Sequence, residues 1–118
     1  MDIHYCIDNV LGKKPDASDD MILLKNTLRS GRAFRETLNG IRQIPGVKMP
    51  HVVVAIDCME RGEGGRESAR RALEQEFQVK IYSIITIEDI LEALKNGIIA
   101  GGEYLGEMMK YREQYGAE

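Results

Sequence analysis

The stretch that decides the fold is Met21-Ile22-Leu23-Leu24-Lys25-Asn26-Thr27-Leu28-Arg29-Ser30-Gly31-Arg32-Ala33-Phe34-Arg35-Glu36-Thr37. Four apolar residues open it, as in a strand buried on both faces of a sheet. A short polar loop with one glycine is predicted next. After Gly31 the apolar residues take helical spacing, with Phe34, Leu38 and Ile41 at i, i+4 and i+7. Strand, glycine loop and helix in this order present a helix N-terminus to an anion. The backbone N–H groups of Ser30, Gly31 and Arg32 point outward in such a turn, at the positive end of the helix dipole. Arg29, Ser30, Gly31, Arg32 and Ala33 are therefore the candidate phosphate-binding residues.

Outward from this stretch the alternation of strand and helix continues. The first helix runs to about residue 44, where Pro45-Gly46 stops it. Residues 50–57 are rich in β-branched residues and again read as a strand buried on both faces. Strand, helix, strand of this length is a right-handed crossover between parallel strands. A loop at residues 57–65 leads into a helix over 66–77, with Ala69, Ala72, Leu73 and Phe77 on one face. A strand at 79–85 follows. Thr86 then caps a helix over 87–96, and Asp89 stands where a capping box needs its acid. Gly101-Gly102 mark a join to a last helix. There Tyr104, Met108, Tyr111 and Tyr115 form a stripe that reads as core or dimer interface.

Before the central stretch, residues 2–7 alternate as a short strand, with His4 in a structural role. Residues 8–20 are a polar loop, in which Lys13, Lys14, Asp19 and Asp20 read as solvated. The expected architecture is one α/β domain over residues 1–118: an open, mainly parallel sheet with flanking helices.

Composition bounds the function. The chain has 118 residues, 43% hydrophobic and 30% charged, which suits a small folded domain. A formal net charge of −3 argues against nucleic-acid or anionic-membrane binding. No apolar run is long enough to span a bilayer, and no signal peptide opens the chain. Cys6 and Cys58 form no Cys-x-x-Cys pair and suit a reducing cytoplasm. No metal site is expected.

The same residues carry a resemblance. The strand, Gly31, Ala33 and the Arg35-Glu36-Thr37 helix start resemble the PRPP-binding signature of the type I phosphoribosyltransferases, the orotate phosphoribosyltransferases in particular. Ile56-Asp57-Cys58-Met59-Glu60-Arg61-Gly62 resembles that family's Leu-Asp-Arg-Gln-Glu-Arg-Gly loop. Asp57, Glu60, Arg61 and Gly62 match it, while Cys58 stands where the family's carboxylate-gripping arginine falls. A lone thiol there reads as passive rather than nucleophilic. The strand and helix at residues 77–90, and residues 110–116, also resemble the family's end. Two departures stand out. Lys25-Asn26 replace the paired aspartates of the signature, and Arg29 and Arg32 replace its two threonines.

The resemblance implies a truncated domain, the later half of the family's fold, with degenerate PRPP positions Lys25 and Asn26 and family substrate-loop positions Asp57, Cys58, Glu60 and Arg61. The family joins orotate to PRPP, a transfer that builds positive charge on the ribose and uses magnesium and carboxylates. At ~4 Å and an effective dielectric of ~20, an ammonium in place of a carboxylate shifts the local electrostatics by several kcal/mol the wrong way. The first expectation is therefore an orotate phosphoribosyltransferase-like pseudoenzyme with no catalytic residues and no cofactor, which binds phosphate or a nucleotide. The second is an active transferase, or a subunit completed by a partner, making orotidine monophosphate with Mg2+. The third is a dimerising scaffold. A homodimer, or a heteromer with a full-length transferase, is the expected assembly.

Overall fold

The computed structural model describes residues 12–117. The strand expected at residues 2–7, with His4 and Cys6, lies outside them. Three strands form one parallel sheet in the order β1 (Ile22–Leu28), β2 (His51–Asp57) and β3 (Ile81–Thr86). Helix α1 (Arg32–Arg42) connects β1 to β2, and α2 (Ala69–Phe77) connects β2 to β3. Helix α3 (Ile87–Lys95) follows β3 directly. A short 3-10 turn, Gly102–Tyr104, leads into α4 (Leu105–Tyr115). The open parallel α/β architecture is the one expected.

The core lies between the sheet and the pair α1 and α2. Leu28, Leu38, Val52 and Val54 are fully buried there, with Phe34, Leu73, Phe77 and Ile81 almost so. Each such side chain contributes about 1.5–3 kcal/mol by leaving water. Polar groups tie the two helices at their outer rim. Arg35 Nε donates to Glu76 Oε2 at 2.9 Å, and the Arg42 guanidinium lies 4.6 Å from the centre of the Phe77 ring. Ser68 caps α2 by accepting the Arg71 N–H. The helix therefore begins at Ala69 rather than at residue 66, because residues 61–68 fold back on themselves through an Arg61–Ser68 bridge. Thr86 and Asp89 form the capping box of α3.

Two strand expectations are corrected. β1 and β2 are not buried on both faces. Ile22 and Leu24 point away from α1 and α2 and are 66% and 72% exposed, and Val53 and Ala55 are only half-buried. A continuous apolar run cannot say whether a second layer exists to cover it. Nor does the chain turn at Lys25. Pairing of Lys25 with Val54, Thr27 with Ile56 and Leu28 with Asp57 keeps it extended to Leu28. The backbone hydrogen bonds of a parallel ladder outweigh the polar composition of Lys25-Asn26-Thr27.

The acidic pair before β1 lies at the surface, as expected, with a lysine beside each member. Lys13 Nζ donates to Asp19 at 2.5 Å, and Lys48 Nζ reaches Asp20 at 3.3 Å. Helix α4 buries none of its residues fully. Of its expected stripe Tyr104 lies in the 3-10 turn, 58% exposed, while Tyr111 turns inward and stacks 5.3 Å from Tyr115.

Candidate functional site

The loop between β1 and α1 is shaped by Gly31. It caps α1 with φ 89°, a left-handed conformation that costs glycine little. It is also pressed against α2. A Cβ there would sit 3.1 Å from Leu73 Cδ1 and 3.4 Å from Ala69 Cβ. Two independent reasons, dihedral and space, thus require glycine. No side chain caps α1, and its first turn holds no acidic residue. Its leading N–H groups keep their partial positive charge facing outward.

A pocket of about 350 Å3 opens at this turn. All five candidate residues, Arg29, Ser30, Gly31, Arg32 and Ala33, line it, together with Thr27, Phe34 and Glu36. Lys25 and Asn26 do not. Lys25 is half-buried farther back along β1, with its Nζ 5.7 Å from the centre of the Phe34 ring. The two arginines at the pocket differ. Arg32 is exposed and has no hydrogen-bond or ion-pair partner among the described residues. Arg29 is anchored, with Nε 3.3 Å from Glu60 Oε2. Arg61 and Arg66, the arginines that follow the end of β2, do not line this pocket. Arg61 donates to the Gln114 carbonyl, and Arg66 projects from the loop before α2.

The loop after β2 turns its polar groups inward. Asp57 is buried, accepts the Met59 N–H at 2.8 Å, and lies 3.5 Å from Arg70 Nε of α2. That turn holds Met59 at φ 55°, unusual for a residue with a side chain. Glu60 is also buried, between Arg29 and the Tyr111 hydroxyl of α4. Burial first, and then the Glu60 carboxylate, push the Tyr111 phenol well above the usual tyrosine range. The same two causes push up the half-buried Cys58 thiol, against a hydrogen bond to Tyr111 that favours its thiolate. A thiol held protonated in this way is a poor nucleophile.

The chain's end completes the loop. The Arg61 N–H donates to the Tyr115 carbonyl at 2.9 Å, and the Ala117 N–H to the Met59 carbonyl at 2.8 Å. Glu60 and Gly116 form an antiparallel bridge. Arg112 Nε reaches Glu88 at 2.6 Å and ties α4 to α3. Sequence reasoning missed Arg70, Tyr111 and this tail as parts of the site. The placement of Arg70 in the first turn of α2, facing the end of β2, was the one readable signal.

Among the described residues, no group of three or more His, Cys, Asp or Glu side chains is disposed to hold a metal ion. No helix among them is long and apolar enough to cross a membrane.

No protein-family model matches the sequence. Individual proteins do. An orotate phosphoribosyltransferase of Clostridium beijerinckii is 26% identical over 134 residues, which takes in 100% of this chain and 59% of that protein. Its namesake in Proteus mirabilis is 27% identical, over 98% of this chain and 57% of its own length. The one in Hamiltonella defensa reaches 35% over 96 residues, 81% of this chain and 43% of its own. The crystal structure of the Francisella tularensis orotate phosphoribosyltransferase superposes with a TM-score of 0.59 at 26% identity, covering 81% of this chain and 46% of that one. The chain spans about half the length of the curated relatives it matches. In sequence and in fold alike, it is an orotate phosphoribosyltransferase-like chain that corresponds to the later half of those proteins.

Proposed function

We propose that this chain is a member of the pyrimidine nucleotide biosynthesis family that binds a phosphate group, as inorganic phosphate or on a nucleotide, and catalyses no transfer alone. One observation carries the reading: the uncapped N-terminus of α1 opens into a pocket beside Arg32, which has no partner among the described residues. A phosphate there would accept hydrogen bonds from the first-turn N–H groups and from the Arg32 guanidinium. Arg29, which lines the same pocket, is held through Nε by Glu60.

The residues do not fit the magnesium that the family's transfer uses. Among the described residues, Glu36 is the only carboxylate lining the pocket, and an ammonium and an amide hold the positions of the signature's acidic pair. Asp57 and Glu60 are engaged by Arg70 and Arg29. The site is proposed as cytoplasmic and as a binding site rather than a catalytic centre.

A second reading, a subunit completed in trans by a full-length transferase, draws support from the half-length match and from the retained Asp57-to-Gly62 loop. Calorimetric titration with inorganic phosphate and with a nucleoside monophosphate tests the first reading, and absence of binding to both would overturn it. Incubation with orotate, PRPP and magnesium tests the second. Orotidine monophosphate formed by the chain alone would refute the inactive reading, and its formation only with an added full-length transferase carrying a disabling mutation would favour completion in trans.

A further inference from the structure

One charged group stands behind the β1–α1 pocket without lining it. Glu60, on the loop after β2, has a side chain only 7% exposed, against 66% for that of Arg29. Its carboxylate takes Arg29 on one side, Nε to Oε2 at 3.3 Å, and the Tyr111 hydroxyl on the other. The backbone fixes it in place. The Glu60 carbonyl accepts the Ala69 N–H at 2.9 Å, and Glu60 bridges to Gly116 at the end of α4. A carboxylate held this deep depends on its partners, because water does not replace them. The pocket itself is lined by two guanidinium groups, on Arg29 and Arg32, and by the Glu36 carboxylate. With Arg29 matched by Glu60, Arg32 is the lining cation that no described acid holds.

We infer that Glu60 restricts this pocket to a single phosphate group by matching the charge of Arg29 from behind, a role that rests on the phosphate reading of the turn. A first phosphate is met by the leading N–H groups of α1 and by Arg32. A second phosphate joined to it adds negative charge and needs a further cation. Arg29 is the lining group that could answer. Turning to the ligand would take it from Glu60 and leave a buried carboxylate with Tyr111 alone. Glu36, one helical turn on from Arg32, repels the added charge. The second phosphate therefore gains little. Glu60 does this without touching the ligand, as a positioning residue that acts through Arg29.

Calorimetric titration in metal-free buffer tests this with matched probes: inorganic phosphate against pyrophosphate, and a nucleoside monophosphate against its diphosphate. In the parent chain the two members of a pair should bind within about threefold of each other. Glu60→Gln keeps the shape and an acceptor oxygen but drops the charge. There the doubly phosphorylated member should gain about tenfold over the single phosphate. A merely structural role would weaken both members together and leave their ratio unmoved. Should circular dichroism show Glu60→Gln unfolded, Arg29→Gln with Glu60→Gln exchanges the ion pair for two amides, and should bind the single phosphate within about threefold of the parent. A parent chain that binds pyrophosphate or the diphosphate about tenfold more tightly would overturn the inference. So would an unmoved ratio in Glu60→Gln, or loss of the single phosphate from the double variant. Absence of binding to every probe would overturn the phosphate reading of the turn, and this inference with it.

Discussion

The ends of β1 and β2 lie side by side and are built oppositely. After β1, the turn at Arg29–Ala33 faces outward, with an uncapped helix and a guanidinium that meets no other described residue. After β2, Asp57 and Glu60 are buried and satisfied by Arg70, Arg29, Tyr111 and the Met59 backbone. The contrast separates a place that can receive a ligand from one that joins pieces of the fold. Glu60 bridges them, because it holds the arginine of the first from within the second.

The largest effect should come from breaking the inward end. Asp57→Ala strands the Met59 N–H and takes one of two carboxylate partners from Arg70, which keeps Glu74, and should lower stability by about 2–3 kcal/mol, read from the midpoint of urea unfolding. Retention of phosphate binding below that midpoint would show that the two ends act separately. The outward end should respond the other way round. Arg32→Ala should weaken phosphate binding about tenfold, ~1.4 kcal/mol, with the urea midpoint almost unmoved. A variant that loses stability instead would mean that Arg32 serves the fold.

The smallest effect is a pH dependence. Tyr111 and Cys58 both lose protons less readily in the fold than in the open chain. Their contribution is thus complete below the ordinary thiol and phenol ranges, around pH 8.5 and 10, and fades as pH climbs past them. Stability should therefore decline on the alkaline side. Tyr111→Phe should cost about 1 kcal/mol near neutrality through the lost hydrogen bond to Glu60, and flatten the fall above about pH 10. An unchanged alkaline slope would remove Tyr111 from the cluster.

Much of this was legible because it is local. The Thr86–Asp89 box, the Gly31 turn and the apolar face of α2 are all set within a few residues, and the structure has each of them. The strand length of β1 was not legible, because its partner Val54 lies far along the chain and nothing in Lys25-Asn26-Thr27 announces it. The same holds for the loop after β2. Asp57 and Glu60 were visible as positions, but their engagement depends on Arg70 and on Tyr111, which only the packing of α2 and α4 brings near. The bare face of the sheet escaped for a different reason. Valine and isoleucine runs look alike whether or not a second layer lies over them.

The crowding at Gly31 has a mechanical consequence. With no room for even a methyl group between Gly31 and the Leu73 and Ala69 side chains, the turn has little slack of its own, so whatever pushes the turn toward α2 must shift α2 as well. Occupancy of the pocket should therefore register as slower amide exchange along α2, a helix that itself never touches the ligand.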